Sequence, residues 1–297
     1  MNEEEILKYR EAGKIASHVR EITKDMVREG VKLLDIAEFV EREIIKLGGM
    51  PAFPCNISIN EIAAHYSPPA RDETILKHGD YVKIDIGVHK DGYIADTACT
   101  LKVGEKKDDL IKASEDALNN SIKEISPGKS VGEIGRVIEE TIKDYGLKPI
   151  VDLTGHTMEK WNLHSGKTVP NVGVSSKVII NEGDVLAIEP FASTGGGRVA
   201  DDERVFIFGF IKEKPIRLRE ARLIISEIKK KYKTLPFAER WLAKVIPQRK
   251  LEFALKQLID IGSLHPYRVL KERDGGMVSQ AEDTVIVTSE GCEVITR

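Results

Sequence analysis

Four acidic residues occupy equivalent places in two similar segments of the sequence. The segment GDYVKID, which ends at Asp85, is echoed by GDVLAIE, which ends at Glu189. Asp96 has a weaker echo in Glu282, since each follows an alanine. A fold that repeats itself places equivalent groups around a pseudo-twofold axis, so the four carboxylates are expected to face one another. Because acidic side chains are almost never buried without a partner, the sequence predicts that they bind a cation.

Two histidines add a second kind of ligand. His156 and His164 lie in the segment TGHTMEKWNLH, ahead of the second acidic segment. Neutral imidazole is a good ligand for divalent transition metals. One histidine and four carboxylates form a set suited to two metal ions with shared carboxylates and a bridging water. Cobalt, manganese, iron or zinc would fit this set better than magnesium. Such a water is a nucleophile, so the pattern predicts a metallohydrolase that cleaves an amide or an ester.

The strand that carries Asp85 is predicted to form a hairpin. Residues 81–88 alternate between apolar and polar side chains, as a strand with one buried face does, and a turn is expected at 90–92. With 90–91 as a two-residue loop, Asp85 would lie directly opposite Asp96. Like charges in that position are destabilising, so this register also favours a bound cation.

Helical periodicity extends the duplication beyond the acidic segments. Two helices are predicted over residues 2–47, with a break near Gly30, and two more over 108–125 and 131–145. Ser130 and Glu133 have the spacing of a capping box at the start of the last one. The first copy is in register with the second at a shift of 98 positions in the helices and 104 in the strands.

The second copy also contains a long insertion. Ninety-two residues separate Glu189 from Glu282, against ten between Asp85 and Asp96. Helices are predicted within it over 217–232 and 236–262. The predicted architecture is an α+β fold, in which an antiparallel sheet is covered by helices. Its catalytic domain is expected at 1–206 and 266–297, with a helical insertion subdomain at 207–265.

Composition limits the partners and the compartment. The chain has 297 residues, of which 41% are hydrophobic, and a net charge of −3, so no overall field favours DNA or an anionic membrane. No apolar stretch is long enough to span a bilayer, and the acidic start MNEEEILKYR is unlike a targeting signal. We therefore expect a cytoplasmic protein. The basic run Lys229-Lys230-Lys231 could contact ribosomal RNA, although a solvated helix face is the simpler interpretation.

Several segments resemble methionine aminopeptidases over nearly the whole chain. They are FPCNISINEIAAHY at 53–66, the hairpin with Asp85 and Asp96, Gly155-His156, LHSGK at 163–167, AIEPF at 187–191 and QAEDT at 280–284. The helical insertion is typical of the type 2 branch, and the absence of a charged extension before the first helix is typical of its short archaeal form. The resemblance implies the duplicated pita-bread fold of two-metal peptidases.

The resemblance also implies a role for each site residue. The five metal ligands would be Asp85, Asp96, His156, Glu189 and Glu282, and they would hold two divalent ions. Glu189 would also be the general base, His164 would stabilise the oxyanion, and His65 would lie beside the scissile amide. Phe53, Leu163 and Tyr267 would form walls of the methionine pocket. The implied activity is removal of the N-terminal methionine from nascent chains that have a small second residue, by a metal-bridging hydroxide that attacks the scissile carbonyl.

Four questions stay open at the level of sequence. A proline-directed peptidase, such as prolidase or aminopeptidase P, has the same fold, but usually carries an additional domain before the catalytic one. A catalytically inactive relative could be a protein-binding or RNA-binding scaffold, but such relatives lose metal ligands. The native metal and the oligomeric state are also open, and the resemblance suggests a monomer.

Overall fold

Helices and antiparallel sheets alternate along the chain in this computed structural model, which describes all 297 residues. The α-helices are Glu3–Lys24 (α1), Leu33–Lys46 (α2), Asp109–Lys123 (α3), Val131–Asp144 (α4), Arg219–Glu227 (α5), Glu239–Ala243 (α6) and Gln248–Asp260 (α7). A π-helical turn, Ile228–Tyr232, follows α5. None of the helices is both long enough and apolar enough to cross a bilayer.

The strands of the first copy are Met50–Pro51 (β1), Asn56–Ile59 (β2), Ile62–Ala64 (β3), Tyr81–Lys90 (β4) and Tyr93–Lys102 (β5). Those before the insertion in the second copy are Lys148–Pro149 (β6), Thr154–Thr157 (β7), Thr168–Pro170 (β8), Val185–Ile188 (β9), Phe191–Ser193 (β10) and Val199–Phe210 (β11). The remaining strands are Phe237–Ala238 (β12), Leu264–Glu272 (β13), Val278–Gln280 (β14), Asp283–Val287 (β15) and Cys292–Val294 (β16). The α+β class expected from the sequence is confirmed.

The predicted duplication is present in the backbone. α4 begins and ends 98 positions after α2, and β6 begins and ends 98 positions after β1. Pro51 pairs with Val88 in the first copy, whereas Pro149 pairs with Ala192 in the second. These partners are 98 and 104 positions apart, as the sequence predicts. The capping box of Ser130 and Glu133 at the start of α4 is also confirmed.

Each copy buries one face of its strands under helices. Ile84 and Ile86 of β4 have no exposed surface and belong to one hydrophobic core with Ala16 and Val19 of α1. Full burial of an isoleucine side chain stabilises the fold by roughly 1.5–3 kcal/mol. The opposite face of β4 carries Asp85. The helices therefore fix the sheet, and the sheet holds the acids on its other side.

The register predicted for the first hairpin is wrong by two positions. Lys90 pairs with Tyr93, so the loop is Asp91-Gly92. Both loop residues have positive φ angles, 52° and 94°, which is the requirement of the type I′ turn that Asp-Gly favours. As a result, Asp85 lies opposite Ala98 and not opposite Asp96. Asp85 and Asp96 are diagonal neighbours on one face, at a spacing of about 7–8 Å.

An isolated backbone bridge between the two copies lies among the acidic residues. Ala98 and Glu282 exchange both of their backbone hydrogen bonds, with N–O distances of 3.2 and 3.0 Å. Asp85 is the partner of Ala98 on the other side. Ile188 pairs with Asp283, which brings the adjacent residues Glu189 and Glu282 side by side. Asp85, Ala98, Glu282 and Glu189 therefore form one row across the molecule.

The insertion is helical, but one of its predicted helices is wrong. The helix predicted over 217–232 is present as α5 and the π-helical turn, whereas the helix predicted over 236–262 is divided. β12 takes up its first residues, and Pro247 separates α6 from α7. Proline lacks an amide hydrogen and its ring clashes with the preceding turn, so a helix cannot continue through it.

The insertion has a hydrophobic core of its own. Buried side chains of α5, α6 and α7 pack together with Phe208 of β11 and Leu264 of β13. These two strands pair with each other and lead into and out of the inserted segment. The boundaries of the insertion subdomain at 207–265 stay a prediction, and both fall within this strand pair.

Candidate metal centre

A cavity of about 510 Å³ lies over the acidic row. All ten site residues predicted from the sequence line it: Phe53, His65, Asp85, Asp96, His156, Leu163, His164, Glu189, Tyr267 and Glu282. They come from both copies and from β13, which follows the insertion. The fold therefore brings the candidate residues together, while the role of each one stays a prediction.

Three of these residues are close enough to share one ion. The ligand atoms of Asp96, His156 and Glu282 all lie within 4.8 Å of one another, and all three residues are buried. The Nε2 atom of His156 is 3.7 Å from Oδ2 of Asp96 and 3.6 Å from Oε1 of Glu189. These separations are those of atoms that share a metal ion, because metal–ligand bonds of about 2.0–2.2 Å place neighbouring ligand atoms about 3–4 Å apart.

Hydrogen bonds near the bridge orient the acidic residues. The Thr284 hydroxyl accepts a hydrogen bond from the Asp96 amide and donates one to the Asp96 carbonyl, each at 2.7 Å. Asn56 Nδ2 donates to Oδ2 of Asp85 at 3.5 Å, and Gln280 Nε2 donates to Oε2 of Glu282 at 3.2 Å. The second carboxylate oxygens of Asp85 and Asp96 are buried and have no protein partner. Buried carboxylate oxygens without a protein partner fit a cation.

The electrostatics of the cluster also fit a cation. Burial raises the pKa of Asp85 to about 7. Burial, together with the neighbouring carboxylates, holds the pKa values of Asp96, Glu189 and Glu282 well above their usual range. Burial lowers the pKa of His156 to about 3, so its imidazole is neutral and free to bind a metal. Four mutually repelling acids beside a neutral imidazole form a set that divalent ions would stabilise.

His156 has a different counterpart in the first copy. His156 lies 98 positions after Ser58. Their strand partners, Ala187 for His156 and Lys83 for Ser58, are 104 positions apart. The Lys83 side chain is fully buried, and its Nζ donates to the carbonyls of Asn60 and Val278, each at 2.9 Å. The first copy therefore has a serine and a lysine where the second has a histidine and an alanine.

Two further histidines face the cavity. The rings of His156 and His164 meet edge to face with centroids 4.4 Å apart, and burial lowers the pKa of His164 to about 4. His65 has a positive φ of 65°, and its Nδ1 is 3.1 Å from the carbonyl of Arg268. A carbonyl can only accept, so Nδ1 carries the proton and Nε2 is left as an acceptor. His164 and His65 are thus neutral at pH 7, because burial lowers the pKa of His65 as well.

Sequence reasoning missed several residues of the site. Asn56 and Gln280 contact metal-ligand candidates, and Asp152, Ile207 and Pro236 line the cavity. Asn56 and Gln280 lie inside segments that resemble the family, which is the one signal that could have singled them out. The contact of Asn56 depends on strand pairing, which spacing alone does not reveal, whereas Gln280 contacts a residue only two positions away.

The comparison of sequences identifies the class of protein. Residues 7–289 match metallopeptidase family M24, and since this is nearly the whole chain, the chain belongs to that family. Within the family, a protein of Thermococcus onnurineus named methionine aminopeptidase is 51% identical over 286 residues, which are 96% of this chain and 97% of that protein. The resemblance to methionine aminopeptidases found in the sequence segments is thereby confirmed.

Solved structures confirm the pita-bread fold. A methionine aminopeptidase from Thermotoga maritima has a TM-score of 0.74 and 24% identity, and the alignment covers 100% of this chain and 98% of that one. A thermophilic Arx1 has a TM-score of 0.88 and 21% identity, with coverage of 99% and 91%. At these identities the likeness concerns the fold.

Proposed function

We propose that this protein removes the N-terminal methionine from nascent proteins and peptides, with a preference for a small second residue. The observation that carries the proposal is the convergence of five candidate ligands and two neutral histidines in one cavity. The relative from Thermococcus onnurineus supports the choice of methionine over proline-directed specificity. A scaffold without activity would have no use for four buried acids, whose mutual repulsion is destabilising without a cation.

Two divalent ions are proposed to be held by the five ligands Asp85, Asp96, His156, Glu189 and Glu282. Bound cobalt, manganese, iron or zinc would supply a bridging hydroxide for attack on the scissile carbonyl. Glu189 is the proposed general base. Its side chain is 14% exposed and faces His156, so it can accept a proton at the cavity floor.

The two neutral histidines are assigned to the substrate. His164 donates a hydrogen bond to the carbonyl oxygen as negative charge develops there. His65 presents Nε2 as an acceptor, which suits the N–H of the scissile amide. Both assignments use the neutral form that the lowered pKa values favour, and the Arg268 contact sets the tautomer of His65.

The cavity walls are proposed to select the side chains. Phe53, Leu163 and Tyr267 give the cavity apolar surface for methionine. Tyr267 lies edge to face between His65 and His265, with centroid distances of 5.7 and 4.9 Å. Rings packed in this way form a rigid wall. This wall beside the scissile amide supports the exclusion of large second residues.

Release of free methionine from Met-Ala-Ser and Met-Leu-Ser by metal-reconstituted protein tests the proposal. We expect cleavage of the first peptide and little cleavage of the second. Glu189→Gln and His164→Ala should each lower kcat by about 10²-fold or more. The exposed residues Glu290 and His18 offer matched controls, and Glu290→Gln and His18→Ala should retain full activity. A protein that binds two metal ions but releases no methionine would overturn the proposal.

The proposed function also implies a compartment, an oligomeric state and a partner. We infer a cytoplasmic monomer that meets nascent chains as their N-termini emerge, with the insertion at 207–265 as a separate subdomain. Contact with the ribosome through the lysine run has little support, because Lys229 is paired with Glu213 and Lys231 with Glu227. If ribosome co-sedimentation persists after Lys229, Lys230 and Lys231 are changed to Gln, then contact occurs through another surface.

A further inference from the structure

A buried ion pair connects the insertion to the first copy. Arg240 of α6 donates from Nη2 to Oε1 of Glu41 on α2, and Trp241 Nε1 donates to Oε2 of the same carboxylate at 2.8 Å. Glu41 is 8% exposed and Arg240 is 3% exposed. The two residues are 199 positions apart in the chain. Their contact is therefore a long-range connection that only the folded insertion can make.

The same pair also holds both ends of one loop segment. The Cys55 amide donates to Oε1 of Glu41 at 3.3 Å. At the other end, Arg240 Nη1 donates to the Ser67 hydroxyl and to the Pro68 carbonyl, the latter at 3.3 Å. The Ser67 hydroxyl in turn donates to the Cys55 carbonyl at 2.9 Å. One carboxylate and one guanidinium thus fix the start and the end of the segment 55–68.

Residues of the active-site cavity lie within and beside that segment. Asn56 follows Cys55 directly and donates to Asp85, while His65 precedes Ser67 by two positions. Phe53 lies just before the segment and lines the cavity, as does Pro236, four positions before Arg240. Movement of either end of the segment would therefore displace the wall of the cavity that faces the substrate.

We propose that Glu41 and Arg240 form a clasp through which the insertion positions the Phe53–His65 wall of the substrate cavity. Neither residue lines the cavity, so both are positioning residues and not catalytic ones. A buried ion pair contributes little net stability relative to an apolar pair, because desolvation offsets the attraction. Its charge-assisted hydrogen bonds to Cys55, Ser67, Pro68 and Trp241 instead fix the relative position of the groups it joins. The kinetic part of this inference rests on the proposed function.

The double variant Glu41→Gln/Arg240→Gln tests the clasp, because it removes both charges without leaving either one uncompensated. We expect KM for Met-Ala-Ser to rise about tenfold while kcat changes less than about threefold, since the wall and not the ligand set is displaced. Metal affinity, measured by calorimetry, should stay within about threefold of the wild-type value, because the pairing of β2 with β4 holds Asn56 opposite Asp85 without the clasp. Arg240→Lys keeps the charge but loses the fork of donors, and it should raise KM in the same direction.

Hydrogen exchange gives a readout that is independent of activity. Amides between Cys55 and Ser67 should exchange about tenfold faster in the double variant, whereas those of α3 should be unchanged. The exposed pair of Glu220 and Lys250, which joins α5 to α7, provides a matched control. Glu220→Gln/Lys250→Gln should alter neither KM nor exchange in the segment 55–68.

Unchanged KM together with unchanged exchange in the double variant would overturn the clasp. If the double variant does not fold, Arg240→Lys decides the matter by the same two measurements. If the wild-type protein releases no methionine, the proposed function fails, but the exchange measurement still tests the clasp. The two ideas can therefore fail separately.

Discussion

Gly87 lies directly opposite Asp96 in the pairing of β4 with β5, and the ring of Phe53 fills the space beside it. A β-carbon at position 87 would lie 2.2 Å from the Phe53 ring, which is far inside van der Waals contact. The backbone at this position thus has no room for a side chain. Because residue 87 is glycine, the Phe53 ring of the proposed methionine pocket can lie next to the strand position opposite Asp96.

Gly87→Ala should therefore displace Phe53 and impair substrate binding. We expect a several-fold rise in KM for Met-Ala-Ser and a loss of about 1–3 kcal/mol of stability from overpacking. Steady-state kinetics and thermal unfolding measure the two effects. Gly291 is an apt control, because a β-carbon there would have no neighbour nearer than 3.9 Å. Equal effects of Gly87→Ala and Gly291→Ala would contradict the prediction.

Without bound metal, the stability of the folded protein should fall as the pH rises. The raised pKa values of Asp85 and its neighbours mean that the metal-free folded protein holds protons that the unfolded chain has already released. The stability that Asp85 contributes by keeping its proton in the folded state is thus fully present below its ordinary pKa of about 3.9. It is lost as the pH rises through about 7.

The unfolding temperatures of chelated and metal-loaded protein, compared at pH 5.5 and pH 8, check this prediction. We expect the gap between the two forms to be wider at pH 8 by about 5 °C or more. The metal-loaded protein serves as the control for groups elsewhere in the chain that titrate in both forms. A gap that narrows as the pH rises would show that the acids do not repel one another in the metal-free fold.

Asn56→Ala should weaken metal binding without removing a ligand. Asn56 donates to Oδ2 of Asp85, and loss of a partner that orients a ligand lowers metal affinity by about 10–100-fold. Calorimetric titration with manganese or cobalt gives the value directly. Asn119→Ala removes a carboxamide that contacts Arg297 at the surface and should have no such effect. Unaltered affinity in Asn56→Ala would exclude a supporting role for this side chain.

The duplication offers a test of helix capping. Ser130 caps α4 with its side chain, whereas the equivalent Lys32 makes no capping hydrogen bond to α2. Ser130→Ala should lower the free energy of unfolding by about 1 kcal/mol, and Lys32→Ala should change it by less than about 0.5 kcal/mol. Chemical denaturation of the two variants measures both values. A larger effect at position 32 would mean that its surface ion pair with Glu73 outweighs capping.

Local patterns predicted the helices because each one buries a single face. α1 to α4 follow the apolar periodicity closely, and Ser130 marks a helix start. The signal for the hairpin was also local, since Asp91-Gly92 is a favoured type I′ pair. The predicted loop was placed one residue too early. Because each residue on one strand is matched by one on the other, that error moved the partner of Asp85 by two positions.

Other features of the site have no local signal. The bridge between Ala98 and Glu282 joins residues from the two copies, and its place depends on how their sheets meet. Asn56 reaches Asp85 through strand pairing. The contact of Glu41 with Arg240 requires a folded insertion. Sequence segments identified which residues gather in the cavity, but three-dimensional packing decides what holds them there.

The unequal pair Ser58 and His156 has a consequence for how the centre works. Had two identical subunits built this centre, any histidine would appear twice, and two neighbouring cations would have identical surroundings. A single chain with two unlike copies escapes that restriction, since one copy can supply an imidazole while the other does not. Any pair of cations bound here is therefore inequivalent, and the tighter position fills before the weaker one.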